Sequence, residues 1–333
     1  MPGQSVAQRL ALLPTPTQRA WLASLDTMLL AEVSRREWWY VARPEQLQPD
    51  GMYWYIWLIL AGRGWGKTRT GAEWLVDRII ESPYDVEGHP TEWGAFAETL
   101  RDGRDIICEG PSGLLNVLRR RGIRFVYVRW PNPRITLVGG QKIHVQGADD
   151  TDVGRGLNLA GAWLDEVCKW RFPTGSWMEG IGPSLRVKTP GSAKPRVVVT
   201  TTPKPIRLLV DWTTRTDGSV HLTRGSTFDN ALNLSASALE ELVRQYGGTR
   251  IGRQELHAEL LTDVEGALWQ QAWIDAVRVA AAPELTHVVV AIDPSGSDAA
   301  TADEMGLLAV ARGVDGHDYV LADRSGRVEG TRA

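Results

Sequence analysis

Cysteine is almost missing from this sequence: Cys108 and Cys168 are the only two in 333 residues. Two thiols cannot build a disulfide framework, and neither sits at metal-ligand spacing. A reduced, cytosolic setting fits that usage. No run of about 18 apolar residues occurs, which excludes a transmembrane helix on hydropathy. The N-terminus lacks the charged start, apolar core and small-residue cleavage site of a secretory leader. A surplus of positive charge is missing as well. The net charge is −3, so no global basic field advertises nucleic acid, and any DNA contact has to be a local patch. What remains is an ordinary globular composition, 43% hydrophobic and 23% charged, enough for one large domain or two ordinary ones. The fifteen Trp are scattered at strand and helix ends and read as packing residues.

The chain is organised around Leu58 to Arg69. Tyr55 to Leu60 reads as a buried strand, and a glycine-rich turn follows. After Thr68, Ala72, Leu75, Val76, Ile79 and Ile80 recur at helical spacing until Glu81-Ser82-Pro83 ends the run. Strand, glycine loop, Lys-Thr and helix is the layout of a phosphate-binding loop. Such a loop turns backbone N–H groups toward phosphate at a helix N-terminus. Gly62 and Gly64 supply the flexibility, and Gly66 precedes the lysine. Lys67 would reach the β- and γ-phosphates of ATP, and the Thr68 hydroxyl would ligand Mg²⁺. Ala61 stands where the pattern has its first glycine. The plain alternative is a glycine-rich turn joining a strand to a helix.

Upstream, residues 1–13 form a short amphipathic lead, and Thr17 to Trp39 has the periodicity of a helix. In the loop from Arg43 to Pro49, Gln46 could read an adenine edge through its amide, or be a polar surface residue. Downstream, Trp93 to Ala97 reads as a second strand, Thr99 to Cys108 as a helix and Leu114 to Arg120 as another. The run Arg119-Arg120-Arg121 suits a helix C-terminus, a solvated face or a phosphate contact. Strands are expected at Arg124 to Trp130, Ile135 to Val138 and Ile143 to Val145, with a hairpin at Gly139-Gly140.

An acidic, glycine-rich loop from Gly147 to Gly156 leads into Leu159 to Glu166, an apolar strand ending in Asp-Glu. That is a Walker B arrangement: Asp165 would hold Mg²⁺ through water and Glu166 would activate the attacking water. Val197 to Val199 form a further buried strand ending in Thr200-Thr201-Thr202-Pro203. Hydroxyls there sit at the ligand edge of an open sheet and can sense a γ-phosphate, or are β-branched strand filler. Ile206 to Trp212 reads as a short helix, Val220 to Thr223 as a strand, Ser237-x-x-Glu240 as a capping box, and Thr249 to Leu261 as another helix. From His287 the pattern turns antiparallel, with strands at His287 to Ile292, Met305 to Ala311 and Tyr319 to Leu321. Asp293 ends the first of these, and Asp298, Asp303 and Glu304 follow.

The ordered set resembles one family, the large terminase subunit of tailed double-stranded DNA phages, in particular the branch that includes gene transfer agents. The carrying segments are Ala61 to Arg69, Trp163 to Glu166, Thr200 to Pro203, Ser226 to Asn230, Gly252 to Leu256 and Val290 to Pro294. The resemblance implies a P-loop NTPase of the RecA/ASCE type with a central, mostly parallel sheet, followed by the first strands of an RNase H-like nuclease. It places a helical lead at 1–50, the ATPase domain at 51–261, a hinge at 262–284 and a partial nuclease domain at 285–333. It implies ATP-driven translocation of double-stranded DNA into procapsids in the host cytoplasm. The implied partners are a portal protein, a small terminase subunit and further copies in a ring, with no membrane. By the same resemblance Arg63 acts near the γ-phosphate, and Thr200, Thr201 and Thr202 couple nucleotide state to the rest. Gln46 senses adenine, and Arg155 acts in trans on a neighbouring subunit. Asp293 is the first nuclease aspartate and Asp303 a further ligand for Mg²⁺ or Mn²⁺. Family members carry later acidic residues beyond this stretch, so the nuclease is expected to be incomplete here and its sheet to expose an edge. The alternatives are a terminase remnant that only binds DNA or portal, and a helicase-type ATPase, which would need a second RecA-like lobe after Thr202.

Overall fold

The computed structural model describes residues 37–51, 53–149, 152–192, 194–247, 249–261, 271–294 and 305–325. Contacts divide the chain into two units, one up to Thr262 and one from Asp263 onward.

The first unit is built on one eight-stranded sheet. Its strand β1 (Ile56–Ala61) is buried at all six positions, as a strand covered on both faces must be. A glycine loop leads from it into the helix α1 (Lys67–Glu81). After β2 (Glu92–Ala97) the chain turns helical at Leu100 and widens into a π-helix over Gly103–Cys108. The helix α2 (Leu114–Arg120) follows. Next come β3 (Phe125–Val128), β4 (Arg134–Leu137) and β5 (Lys142–Gly147), antiparallel to one another in sequence. The hairpin between β4 and β5 turns at Gly140, whose φ of +89° needs glycine. Then β6 (Gly161–Asp165), β7 (Arg196–Thr201), α3 (Arg207–Thr214) and β8 (Val220–Gly225) complete the sheet.

The strand order is β3-β4-β5-β2-β6-β7-β1-β8, and the six strands from β5 to β8 run parallel. The chain thus has the mixed α/β architecture, with a mostly parallel central sheet, expected of a P-loop NTPase. The strand β7 lies between β1 and β6, with Thr200 opposite both Ile59 and Asp165. The C-terminal ends of these three strands therefore finish at one edge, where open parallel sheets collect their ligands. Side chains alternate between two cores. Trp57 and Ile59 face α1 together with Trp163 and Val198, while Ile56 and Leu58 face the other layer with Leu164 and Val199.

Two contacts fix α1 on this sheet. A Cβ on Gly71 would lie 2.2 Å from the Trp163 indole, so only glycine lets the helix sit directly on β6. Glu73, nearly buried, accepts Arg69 Nε at 2.7 Å and pairs with Arg121, which also reaches Asp77. Arg121, at the end of the basic run, is thus a mostly covered tie between two helices and not a free phosphate contact.

Beyond β8 the first unit adds α4 (Ala236–Tyr246) and α5 (Arg250–Glu255). The expected capping box at Ser237 does not form. Ser235 caps α4 instead, accepting the Ala238 N–H, and its third position is an alanine that cannot reciprocate. The last helix ends at Glu255 rather than Leu261, and Ala258 follows in the left-handed region with φ +56°. The expected helix from Thr17 lies outside the described residues up to Glu37.

The second unit holds a short helix, Gln271–Ala276, and a three-stranded antiparallel sheet of β9 (Leu285–Asp293), β10 (Gly306–Gly313) and β11 (Asp318–Asp323), in the order β11-β10-β9. Val288, Val289, Val290 and Ile292 of β9 are each more than half exposed.

Gly71→Ala tests the seat of α1. A helical glycine-to-alanine change gains about 1 kcal/mol in helix propensity, while overpacking a filled core costs about 1–3 kcal/mol. With a 2.2 Å approach to a buried indole, the clash should win. A lower urea midpoint is expected, and a midpoint equal to or above wild type would refute the packing.

Candidate functional site

The glycine loop owes its shape to anchored carbonyls. Gly64 and Gly66 have φ of +77° and +103°, conformations that side-chain-bearing residues rarely adopt. The Gly62 N–H donates to Gly225 O at 2.9 Å and the Arg63 N–H to Glu255 O at 2.7 Å. Among the described residues the amides of Gly64, Gly66, Lys67 and Thr68 donate to no protein acceptor. The last two open α1, where amides have no intrahelical partner and carry the positive end of the helix dipole. A cleft of about 460 Å³ opens in front of them, lined by Gly62, Gly64, Gly66, Lys67, Thr68, Glu166, Thr202 and neighbours.

Lys67 is 7% exposed. Its Nζ donates to Ala61 O at 3.0 Å, Gly62 O at 3.2 Å and Thr202 Oγ1 at 2.9 Å, and lies 3.4 Å from Glu166 Oε1. The other oxygen of Glu166 accepts the Thr202 N–H at 3.4 Å and lies 3.6 Å from Lys169 Nζ. The strand ends thus bring Lys67, Glu166 and Thr202 together. Glu166 holds a left-handed backbone with φ +53°, its N–H bonded to Thr200 O at 2.6 Å. Such strain in a non-glycine residue concentrates at functional sites.

Asp165 lies behind this cluster. The Trp163 indole N–H donates to Thr200 Oγ1 at 2.7 Å, and that hydroxyl donates to Asp165 Oδ1 at 2.6 Å. Burial, and then the charge of Glu166, push the Asp165 carboxyl up to about 7. Thr201 accepts the Cys168 N–H at 3.2 Å, tying β7 to the turn after Glu166. Thr68 lines the cleft and Asp165 lies buried behind it, and a hydroxyl and a carboxylate whose charge is unwelcome without a cation are hard oxygens of the kind Mg²⁺ takes.

The other expected residues are placed differently. Gln46 is buried beside the loop, accepting the Arg43 N–H at 3.1 Å and donating to Thr70 at 3.0 Å, and does not line the cleft. Arg63 is exposed at the cleft mouth, where its Nε lies 3.4 Å from Glu255 and its guanidinium 5.9 Å from the Tyr246 ring. Arg155 stands on an exposed turn, 2.7 Å from Asp152. In the second unit Asp293 ends β9 opposite Gly306, and Asp303 lies outside the described residues. No three His, Cys, Asp or Glu side chains gather as a metal site among the described residues, and no described helix is long and apolar enough to cross a membrane. The sequence reading missed Arg43, Asn230 and Glu255 as neighbours of the glycine loop, and Trp163 as the donor behind Thr200. Apart from the family segments, no local signal marks them.

Asp165→Asn tests the buried carboxyl in nucleotide-free protein. The folded-state value of about 7 lies above the unfolded value of about 3.9. The ionised form therefore costs folded-state stability, a cost that is nil below the lower value and complete above the upper one. The Asn variant should gain thermal stability over wild type as pH rises from 5 to 8. A gap independent of pH would sink the assignment.

Residues 58–276, more than half of the chain, match the family model described as "Terminase large subunit, T4likevirus-type, N-terminal". No curated protein matches. Among solved structures the chain is similar to the large terminase ATPase domain of Thermus phage P74-26, at 16% identity and a TM-score of 0.48, over 64% of this chain and 94% of that one. An arginine-to-alanine variant of that domain gives 15% identity and a TM-score of 0.46, over 64% and 95%. On the extent of the family match, the chain belongs to the large terminase subunits.

Proposed function

We propose that this chain is the ATPase of a phage DNA-packaging motor and that its hydrolytic centre is the cleft between the glycine loop and Glu166. One observation carries the reading. Lys67 and Glu166, far apart in sequence, stand 3.4 Å from each other on the floor of a cleft rimmed by helix-terminal amides.

The roles follow from position. Ala61 to Thr68 act as a Walker A loop, with the amides of Gly64, Gly66, Lys67 and Thr68 on phosphate oxygens and Lys67 on the β/γ bridge. Thr68 and Asp165 would hold Mg²⁺, which when bound neutralises charge on the phosphate oxygens. Glu166, at the end of a Walker B strand, takes a proton from the attacking water. Thr202, bonded to both Lys67 and Glu166, stands where γ-phosphate loss would be felt, and Thr200 and Thr201 pass that change into β7. Arg63 at the mouth suits a γ-phosphate contact. Arg155, outside the cleft on an exposed turn, suits action on a neighbouring copy in a ring. Gln46, held by one bond from the Arg43 N–H and one to Thr70, supports the loop and keeps one donor and one acceptor with which it could read an adenine edge. Double-stranded DNA, portal protein and small terminase subunit are the partners this reading implies, and host cytoplasm is its setting. The second unit would begin an RNase H-like nuclease with Asp293 as its first metal ligand.

Two experiments test the reading. DNA-stimulated ATP hydrolysis should fall by at least about 100-fold in Lys67→Ala and in Glu166→Gln, the range for loss of an electrostatic or general-base group. Glu166→Gln should still bind nucleotide. Wild type without turnover on DNA and procapsids would overturn the motor assignment. Separately, any Mg²⁺- or Mn²⁺-dependent nicking of plasmid DNA is expected to disappear in Asp293→Ala, and cleavage that persists in that variant would overturn the role given to Asp293.

A further inference from the structure

The carbonyls of the glycine loop carry a second set of contacts, and one of the donors, Asn230, also lines the cleft. A loop that points its N–H groups at phosphate must point carbonyls the other way, and those carbonyls need donors of their own. Each of three consecutive ones has a side-chain donor. Arg63 O accepts the Thr227 hydroxyl at 2.7 Å, Gly64 O accepts Asn230 Nδ2 at 2.7 Å, and Trp65 O accepts Arg43 Nη2 at 2.6 Å. Two of the donors are joined, because Arg43 Nη1 also donates to Asn230 Oδ1. Asn233 Nδ2 donates to the same oxygen at 2.9 Å. With two donors on its oxygen, the Asn230 amide can present only its NH₂ to Gly64.

The surroundings hold this clamp in place. The turn from Thr227 to Asn233 is closed at its start by the Asp229 carboxylate, which accepts the Ser226 N–H at 2.7 Å and the Ser226 hydroxyl at 3.0 Å. Arg43 is 2% exposed and its guanidinium lies 4.9 Å from the Trp65 ring centroid. Burial pulls the Arg43 pKa down, and the charges of Asp229 and Glu45 oppose that. A buried guanidinium is costly unless its geometry is used, and here it bridges a loop carbonyl and the amide that holds the next one.

We propose that Asn230 and Arg43 are positioning residues that fix the glycine loop through its carbonyls, so that the amides of Gly64, Gly66 and Lys67 are aligned before nucleotide arrives. The inference rests on the nucleotide-site reading above. If the clamp is lost, the loop must be ordered by the incoming phosphates, and that cost falls on ground-state and transition-state binding alike. The signature is a rise in KM and in Kd with kcat little changed, the reverse of the loss expected for Glu166→Gln.

The test uses the full chain, Mg²⁺ and the fluorescent nucleotide N-methylanthraniloyl-ADP as the binding probe, with steady-state ATP hydrolysis alongside. Asn230→Ala removes the bonds to Gly64, Arg43 and Asn233. Asn230→Asp keeps the acceptor for Arg43 but loses the donor to Gly64, and it carries the test if the alanine variant folds poorly. Both should weaken the probe about tenfold, equivalent to about 1.4 kcal/mol, and raise the KM for ATP similarly, with kcat within about threefold of wild type. Arg43→Lys should do the same, and combined with Asn230→Ala it should cost clearly less than the sum of the two, since they act through one bridge. Unchanged binding in the Asn230 variants, a fall confined to kcat, or full additivity would each overturn the proposal. Wild type that fails to bind the probe would instead overturn the nucleotide-site reading, and this inference with it.

Discussion

A lysine ammonium shut away from water has to find its acceptors inside the protein, and much of this site follows from where Lys67 finds them. Its three protons go to two carbonyls at the end of β1 and to the Thr202 hydroxyl at the end of β7, and the Glu166 carboxylate after β6 stands beside them. One cation therefore gathers the ends of three neighbouring strands. It does so only because β7 is interleaved between the other two. A phosphate entering the cleft would meet an ammonium already held in position, which lowers the cost of binding it.

The two carboxylates at the end of β6, Asp165 and Glu166, are adjacent in sequence and live in different surroundings. Asp165 is buried against β7, bonded to one hydroxyl, and pushed up to about 7. Glu166 turns out into the cleft between two lysines through a left-handed backbone. A strand alone would already put consecutive side chains on opposite faces. The left-handed turn does something else: it ends the strand at Glu166 and leaves that carboxylate at the sheet edge beside Lys67 and Lys169.

How much of this was legible in the sequence depends on the range of the signal. Lys67, Thr68, Asp165 and Glu166 were readable because each belongs to a short motif attached to a strand whose apolar run is unmistakable. The mostly parallel sheet was expected from the family resemblance that those motifs carry. The capping of α4 was misread because Ser235 and Ser237 both offer a hydroxyl within two residues, and only the backbone decides which N–H meets it. The run Arg119 to Arg121 was ambiguous because charge alone does not reveal that Glu73 and Asp77 wait on α1 to bury Arg121. The widening of the helix after Asp102 into a π-turn left no mark in the periodicity. Arg43, Thr227, Asn230 and Glu255 converge on the glycine loop through tertiary contacts, and no spacing rule connects them.

Those long separations bear on how the protein is made. The bonds to Arg63 O, Gly64 O and the Arg63 side chain span 164, 166 and 192 residues of sequence. Contacts of such range form late, since the intervening chain must be ordered before they repay their loop-closure entropy. On a ribosome the glycine loop emerges long before its supports do. The nascent chain can build β1 and α1 early, but a nucleotide pocket of the mature shape waits until α5 has been synthesised and docked. Competence to bind nucleotide is therefore a late event in the biogenesis of this first unit, and it reports that the unit has finished folding.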